Sequence, residues 1–329
     1  GLGDVYKRQI LDAKIYMRIT CGLILFSFLN LTLTGLYTAQ GDSKTPFVAN
    51  FIGLLINLLL DPLLILGVGP FPRIEVAGAA VATVSAQLVV MLVMMVGVFR
   101  SKKEENVLKG IRLFEPFSKE ELGNICKIGG PTAIQGMVYC MISMVLTRMV
   151  AAFGAEAIAT QRVGGQIESV SWNTADGFAA ALNAFVGQNY GAKKMDRVQE
   201  GYRISFWTVA IWGALIMLAF IIFPGPIAGV FFHEEKAMEI AISYLIIIGF
   251  SEAFMCVELM TIGALSGLGK TKLCSVISIT ATSMRIPLAM VLSRTSLGLD
   301  GIWWALTLTS VAKGIIFYLT FRYQMREKC

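Results

Sequence analysis

Residues 47 to 67 carry one charged side chain, Asp61, in an otherwise apolar run, and Phe51 to Leu60 is apolar almost without interruption. A run of this length has the dimension of a bilayer. The hydrocarbon core is about 30 Å thick and takes roughly 20 residues as a helix, because each backbone amide must find its partner inside the segment. Nine stretches meet the requirement, over 19–39, 47–67, 76–99, 129–153, 164–187, 204–224, 238–266, 273–292 and 298–321. A membrane β-barrel would show short strands alternating apolar and polar residues, a pattern these runs lack. With 56% hydrophobic and 15% charged residues, the chain is too apolar for a water-soluble domain. The expected fold is therefore all-α, a polytopic membrane helical bundle with the lipid bilayer as solvent.

The basic residues set an orientation. Lys44, a cluster from Arg100 to Lys127, Lys193, Lys194, Arg197, Arg203, Lys270, Lys272 and the tail Arg322, Arg326 and Lys328 fall on one side, against Arg73, Arg162, Lys236 and Arg294 on the other. Positive loops stay in the cytoplasm, so the first set and the C-terminus are expected inside. The net charge of +6 is explained by this bias, and nucleic acid is not expected as a partner. The six scattered cysteines have no C-x-x-C pair or metal-ligand spacing and read as small apolar fillers. The single histidine, His233, falls in an external loop, which leaves a membrane enzyme without a histidine base. No catalytic residue and no cofactor is expected.

Gly41 to Thr45 matches Gly267 to Thr271, and Val76-Ala77-Gly78 lies opposite Leu299-Asp300-Gly301. Three helices before a long basic linker thus correspond to the last three of the six after it. The expected plan is two parallel pseudo-symmetric lobes, a secondary-transporter arrangement, with nine of twelve helices present. The chain then divides into a polar leader over 1–9 that fits no helix and is read as non-native, an N-lobe half over 10–99, a cytoplasmic inter-lobe linker over 100–127, and a C-lobe over 128–329. In the linker, Ser118-Lys119-Glu120-Glu121 is a capping box expected to start a short helix. Ala264 to Thr271 satisfies a loose phosphate-loop pattern, but a membrane helix precedes it where that loop needs a strand, so ATP binding is rejected.

Polar residues inside such spans are costly and mark function. Asn57 and Asp61 lie four apart on one helix face, and Pro62 cannot donate to the Leu58 carbonyl. Carboxylate, amide oxygen and free carbonyl are hard ligands suited to Na+, while a desolvated Asp61 would instead carry H+. Ser169, Asn173, Asp176 and Asn183 form a polar stripe on the fifth span that is expected to face a cavity, although such stripes also bond helix to helix. Glu252 and Glu258 lie within the seventh span, about 120° apart around it, and Gln135 on the fourth span completes the cavity set. Arg148 and Glu168 are expected to pair, and Arg285 has no evident partner.

Ala39-Gln40-Gly41-Asp42-Ser43-Lys44-Thr45-Pro46, Asn57 to Asp61-Pro62, Val76 to Ala80 and Gly187-Gln188-Asn189-Tyr190-Gly191-Ala192 together resemble the multidrug and toxic compound extrusion (MATE) family. The resemblance runs from about residue 10 to the end. It implies a twelve-helix, two-lobed antiporter of the bacterial inner membrane, monomeric, that exports cationic or amphipathic small molecules in exchange for Na+ or H+. It assigns Asn57, Asp61 and Thr83 to the ion-coupling site, as Na+ ligands if sodium is the ion. A further aspartate of that site has no counterpart here, and the family's coupling carboxylate on the seventh span would fall nearer Met255 than either glutamate. A lipid-linked precursor flippase of similar plan and a non-transport membrane protein are the alternatives.

Overall fold

The computed structural model describes residues 2–68, 72–100 and 118–326. Most of the linker expected over 100–127 lies outside them. The chain divides into two compact units, residues 1–115 and 116–329.

The first unit holds α1 (Leu2–Gly22), α2 (Leu25–Ala39), α3 (Lys44–Leu66) and α4 (Glu75–Arg100). Residues 2–9, expected to fit no helix, form the opening turns of α1. The expected first span is not one straight helix either: α1 and α2 meet at a 46° bend just after Gly22, and glycine is a common site of such kinks. The α2 to α3 turn is held by Asp42, whose Oδ1 accepts from the amides of Lys44 and Thr45 at 3.0 and 3.1 Å. Its Oδ2 accepts from the Thr45 hydroxyl at 2.6 Å. Two of the unpaired amides at the start of α3 are thereby satisfied. Tyr37, Ala49, Val90, Met94 and Val98 form the core of this unit, and the Tyr37 hydroxyl donates to the Met94 carbonyl at 2.9 Å.

The second unit holds α5 (Lys119–Ala151), α6 (Ala155–Gly191), α7 (Met195–Ile222), α8 (Pro224–Gly229), α9 (Glu235–Gly249), α10 (Glu252–Gly267), α11 (Thr271–Ser283), α12 (Arg285–Leu292) and α13 (Leu299–Arg326). Ser118 caps α5 through the Glu120 amide at 3.2 Å, but α5 runs unbroken to Ala151, so no separate short helix precedes the span. The seventh span is broken: α9 and α10 meet at 51°, where the Ser251 hydroxyl bonds the Ile248 carbonyl at 2.8 Å and disturbs the helical ladder. The eighth, Thr271–Leu292, remains one span with a one-residue interruption of the helix at Met284, because Pro287 has no amide for the Ser283 carbonyl and its ring crowds that carbonyl.

Helix α10 is the centre of this unit, packing against α6, α7 and α13. Close approach is made by small residues, as membrane helices require. A Cβ on Gly213 of α7 would lie 2.7 Å from the Ala253 Cα, one on Gly314 of α13 would lie 2.6 Å from the Phe254 carbonyl oxygen, and one on Gly263 would overlap the Ala179 carbonyl of α6.

Among the described residues six helices are long and apolar enough to cross a membrane, and the two bent pairs bring the number to eight. The ninth expected span lies in α6, which has 37 residues but is too polar to meet that measure because of its glycines and its Glu, Asp, Asn, Gln and Ser side chains.

Each unit contains the repeat in its own geometry. Gly78 and Gly301 sit near the start of α4 and α13, and a Cβ there would lie 2.7 Å from the Leu64 carbonyl and 2.5 Å from the Leu292 carbonyl respectively. Gly41 and Gly269, at φ +85° and +74°, follow α2 and α10 in the left-handed region. The structural partner of Gly41 is thus Gly269 and not Gly267, two residues from the match by letters, because the left-handed turn fixes the correspondence.

Candidate functional site

In the first unit α3 packs along α4. Asn57 and Asp61 are half-buried, and the Asn57 Nδ2 and Asp61 Oδ1 atoms are buried with no hydrogen-bond partner. Pro62 lies inside α3, so the Leu58 carbonyl one turn back has no amide to accept from. On α4 the Thr83 hydroxyl donates to Ala79 O at 2.9 Å, which leaves its lone pairs available. A carboxylate, two neutral oxygen donors and a released carbonyl thus occur on two packed helices. No cluster of three His, Cys, Asp or Glu suited to a metal occurs among the described residues, and oxygen ligands of this kind suit a hard monovalent cation or a proton.

The second unit has an open cavity of about 610 Å³, lined by α5, α6, α9, α10, α11, α12 and α13. That volume suits a drug-sized molecule. Gln135 and Glu258 line it. Glu252 does not. It is fully buried at the first turn of α10, and neither carboxylate oxygen has a well-formed hydrogen bond, Ser171 being the hydroxyl beside it. A helix N-terminus favours such a carboxylate electrostatically, and the 51° break at Ser251 is what puts one there.

Of the α6 stripe, Ser169 faces the cavity, whereas Asn173, Asp176 and Asn183 are exposed and outside it. The buried stripe of α6 runs through Gly164, Ser171, Ala175, Ala179, Leu182 and Val186, and those three polar residues lie off it. Glu168 does not pair with Arg148 as expected. It accepts a hydrogen bond from the Tyr244 hydroxyl, and Arg148 is exposed. The Tyr244 ring reaches Glu168 because Gly164, one turn earlier, has no Cβ to obstruct it. Trp303 and that ring pack in a T-shape, with 4.8 Å between centroids and 86° between planes.

A buried ion pair joins Glu258 and Lys313. Lys313 Nζ lies 2.7 Å from Glu258 Oε1, with side chains 9% and 6% exposed. Two opposite charges removed from water this completely persist because each satisfies the other. Arg285 also faces the cavity, its Nε donating to the Thr309 hydroxyl at 3.1 Å and its Nη2 to the Ser310 hydroxyl at 2.9 Å. Lys313 is the residue that the sequence reading missed. A lysine in the middle of the 298–321 apolar run was the available signal, since a charge at that depth is expensive unless it faces protein or water.

A family model described as MatE matches residues 7–63 and 131–291. The chain belongs to the MatE family. Members of the family are membrane transporters rather than enzymes. Similar proteins include "Probable multidrug resistance protein YoeA" of Bacillus subtilis, 28% identical over 315 residues, covering 95% of this chain and 68% of that protein. "Probable multidrug resistance protein NorM" of Thermotoga maritima is 27% identical over 328 residues, with 96% and 68% covered. An "FAD transporter" of Shewanella oneidensis is 27% identical over 283 residues, with 85% and 61% covered. The chain thus spans about two thirds of the length of the relatives it matches. Among solved structures, a MOP superfamily transporter from Pyrococcus furiosus superposes with a TM-score of 0.86 at 22% identity, covering 95% of this chain and 70% of that one. The MatE fold of the chain, an all-α membrane bundle, follows.

Proposed function

We propose that the chain serves a cation-coupled antiporter that exports cationic or amphipathic small molecules across the bacterial cytoplasmic membrane, as a monomer with its C-terminus inside. The observation that carries the coupling is Asp61. One of its oxygens is buried without a partner, on a helix that crosses the membrane, with the Asn57 side chain one turn away. A carboxylate so placed is costly, and Na+ or H+ relieves the cost. The first unit can then prefer different arrangements when loaded and unloaded, which is the only way a bound ion shifts a conformational equilibrium. The drug-sized cavity of the second unit, with Glu168 on its surface, supports the substrate half of the reading. Names of the multidrug relatives point the same way.

The test is transport of a cationic dye by vesicles containing the protein, with an imposed Na+ or H+ gradient. Asp61→Asn keeps the shape and removes the charge. Gradient-driven export is expected to fall by about an order of magnitude or more while dye binding persists, a loss equivalent to roughly 1.4 kcal/mol or more of coupling. Normal export by Asp61→Asn, with ion dependence abolished by Glu258→Gln, would place coupling in the second unit and overturn the assignment.

The flippase reading is favoured by one observation, the presence of Arg285 and Lys313 on the cavity wall. The carboxylates Glu168 and Glu258 on the same cavity weigh against it, because a polyanionic cargo favours a cavity lined by basic residues.

A further inference from the structure

The polar groups on the cavity of the second unit come from several helices. Glu168 and Trp172 come from α6, Tyr139 from α5 and Glu258 from α10. Helices α11, α12 and α13, which pack on one another, form a wall that presents Ser278, Thr282, Arg285, Ser310 and Lys313. Ser278 and Thr282 lie four apart on α11, and Ser310 and Lys313 three apart on α13, so each pair occupies one helix face, and Arg285 follows Thr282 by three residues at the start of α12. This wall is rich in hydrogen-bond donors.

Its net charge is positive. Lys313 is matched by Glu258 at 2.7 Å. Arg285 is matched by no carboxylate within ion-pair distance among the described residues, and the two hydrogen bonds it makes go to neutral hydroxyls. Glu168 feels the Arg285 charge at longer range, but the Tyr244 hydroxyl holds it on the α6 side. A guanidinium has five N–H donors in a fork that fits a carboxylate, and two of its donors are occupied here. The Thr309 and Ser310 hydroxyls fix the plane of that fork. A second, independent feature points to a ligand at the same wall: Ser278 is 3% exposed, lines the cavity and has a buried hydroxyl with no partner. A buried hydroxyl left unpaired is costly unless something in the cavity bonds it.

We infer that the α11–α13 wall is a carboxylate subsite centred on Arg285, so that the preferred substrates of this cavity are zwitterions, with an acidic group on Arg285 and a cationic or aromatic group against Glu168 and Trp172. The inference rests on the proposed role of the cavity in substrate binding and narrows it: a purely cationic molecule satisfies Glu168 and leaves Arg285 unmatched. Glu258 does not exclude the acid, because Lys313 neutralises it at contact distance.

The experiment is direct binding to the purified protein in detergent, read by fluorescence anisotropy. The probes are one aminoxanthylium dye as its free benzoic acid, a zwitterion, and as its ethyl ester, a cation of nearly the same shape. The protein is expected to bind the acid about tenfold or more tightly than the ester, the range of a charge-assisted contact. Arg285→Gln is expected to remove that preference while leaving ester affinity within about twofold, and Arg285→Lys, which keeps charge without the fork, to retain part of it. Equal binding of acid and ester by the unsubstituted protein overturns the subsite, whatever the variants do, so the inference does not depend on their folding. Equal weakening of both dyes by Arg285→Gln in a folded protein also overturns it. Binding of neither dye refutes the underlying reading of the cavity, and the subsite with it.

Discussion

Removing one member of the Glu258–Lys313 pair is expected to destabilise the second unit far more than removing both. Their atoms meet at 2.7 Å, and the Lys313 and Glu258 side chains are 9% and 6% exposed, so each charge is satisfied far more by the other than by water. Lys313→Met keeps the long apolar stem and deletes the ammonium, leaving the Glu258 carboxylate uncompensated. Its Oε2 already has no partner. Breaking such a pair from one side costs about 3–5 kcal/mol, whereas replacing both charges by neutral groups of similar volume is about neutral or stabilising. Lys313→Met and Glu258→Gln are each expected to lower stability by that amount, and the double variant to recover most of it. The assay is equilibrium unfolding in mixed micelles with increasing dodecyl sulfate, followed by tryptophan fluorescence, with the four proteins forming a double-mutant cycle. A loss of about 3 kcal/mol shifts the unfolding constant by more than two orders of magnitude, since about 1.4 kcal/mol is tenfold. Single variants within about 0.5 kcal/mol of the parent, or a double variant that simply sums the two losses, would show that the pair is not a closed buried unit and would refute the reasoning.

Other expectations concern the loops. Partial burial works against the charge of Asp42, but the Thr45 hydroxyl, the Thr45 and Lys44 amides and the Lys44 ammonium outweigh it and hold its carboxyl below the ordinary value of 3.8. A lowered carboxyl stabilises the fold fully above pH 3.8 and less as pH falls through its lowered value. Asp42→Ala is therefore expected to cost about 1 kcal/mol at neutral pH through the lost cap and to flatten the acid limb of stability, both read from unfolding midpoints. An unchanged acid limb would remove Asp42 as its source. For orientation, cysteines introduced at Lys194 and Lys236 in cells are expected to react with an impermeant maleimide from the cytoplasmic and external sides respectively, and the reverse pattern would reject the assigned topology.

Much of the fold was legible because a bilayer leaves a helix few choices. The apolar runs located the spans of α3, α4, α7 and α13, and Ser118 was readable as a cap. The breaks at Ser251 and Met284 were less so. A serine or a proline inside an apolar run is common, and only the surrounding packing decides whether the helix bends. In the first unit Asn57, Asp61 and Pro62 could be read directly, since a one-turn spacing and a missing amide are local properties. In the second unit Asp176 was conspicuous and lies outside the cavity, while Lys313 was overlooked and lies on it.

The sequence by itself determined that this is a membrane helical bundle with an internal repeat and with costly polar groups inside its spans, because hydropathy and helical period are properties of the chain alone. Only the tertiary structure decided which charges meet. Glu258 and Lys313 are 55 residues apart and Tyr244 and Glu168 are 76 apart, and no spacing rule connects them. Gly164 shows the dependence most simply. In the sequence it is one glycine of 32, and only once α9 lies across α6 does its missing side chain become the room through which Tyr244 reaches Glu168.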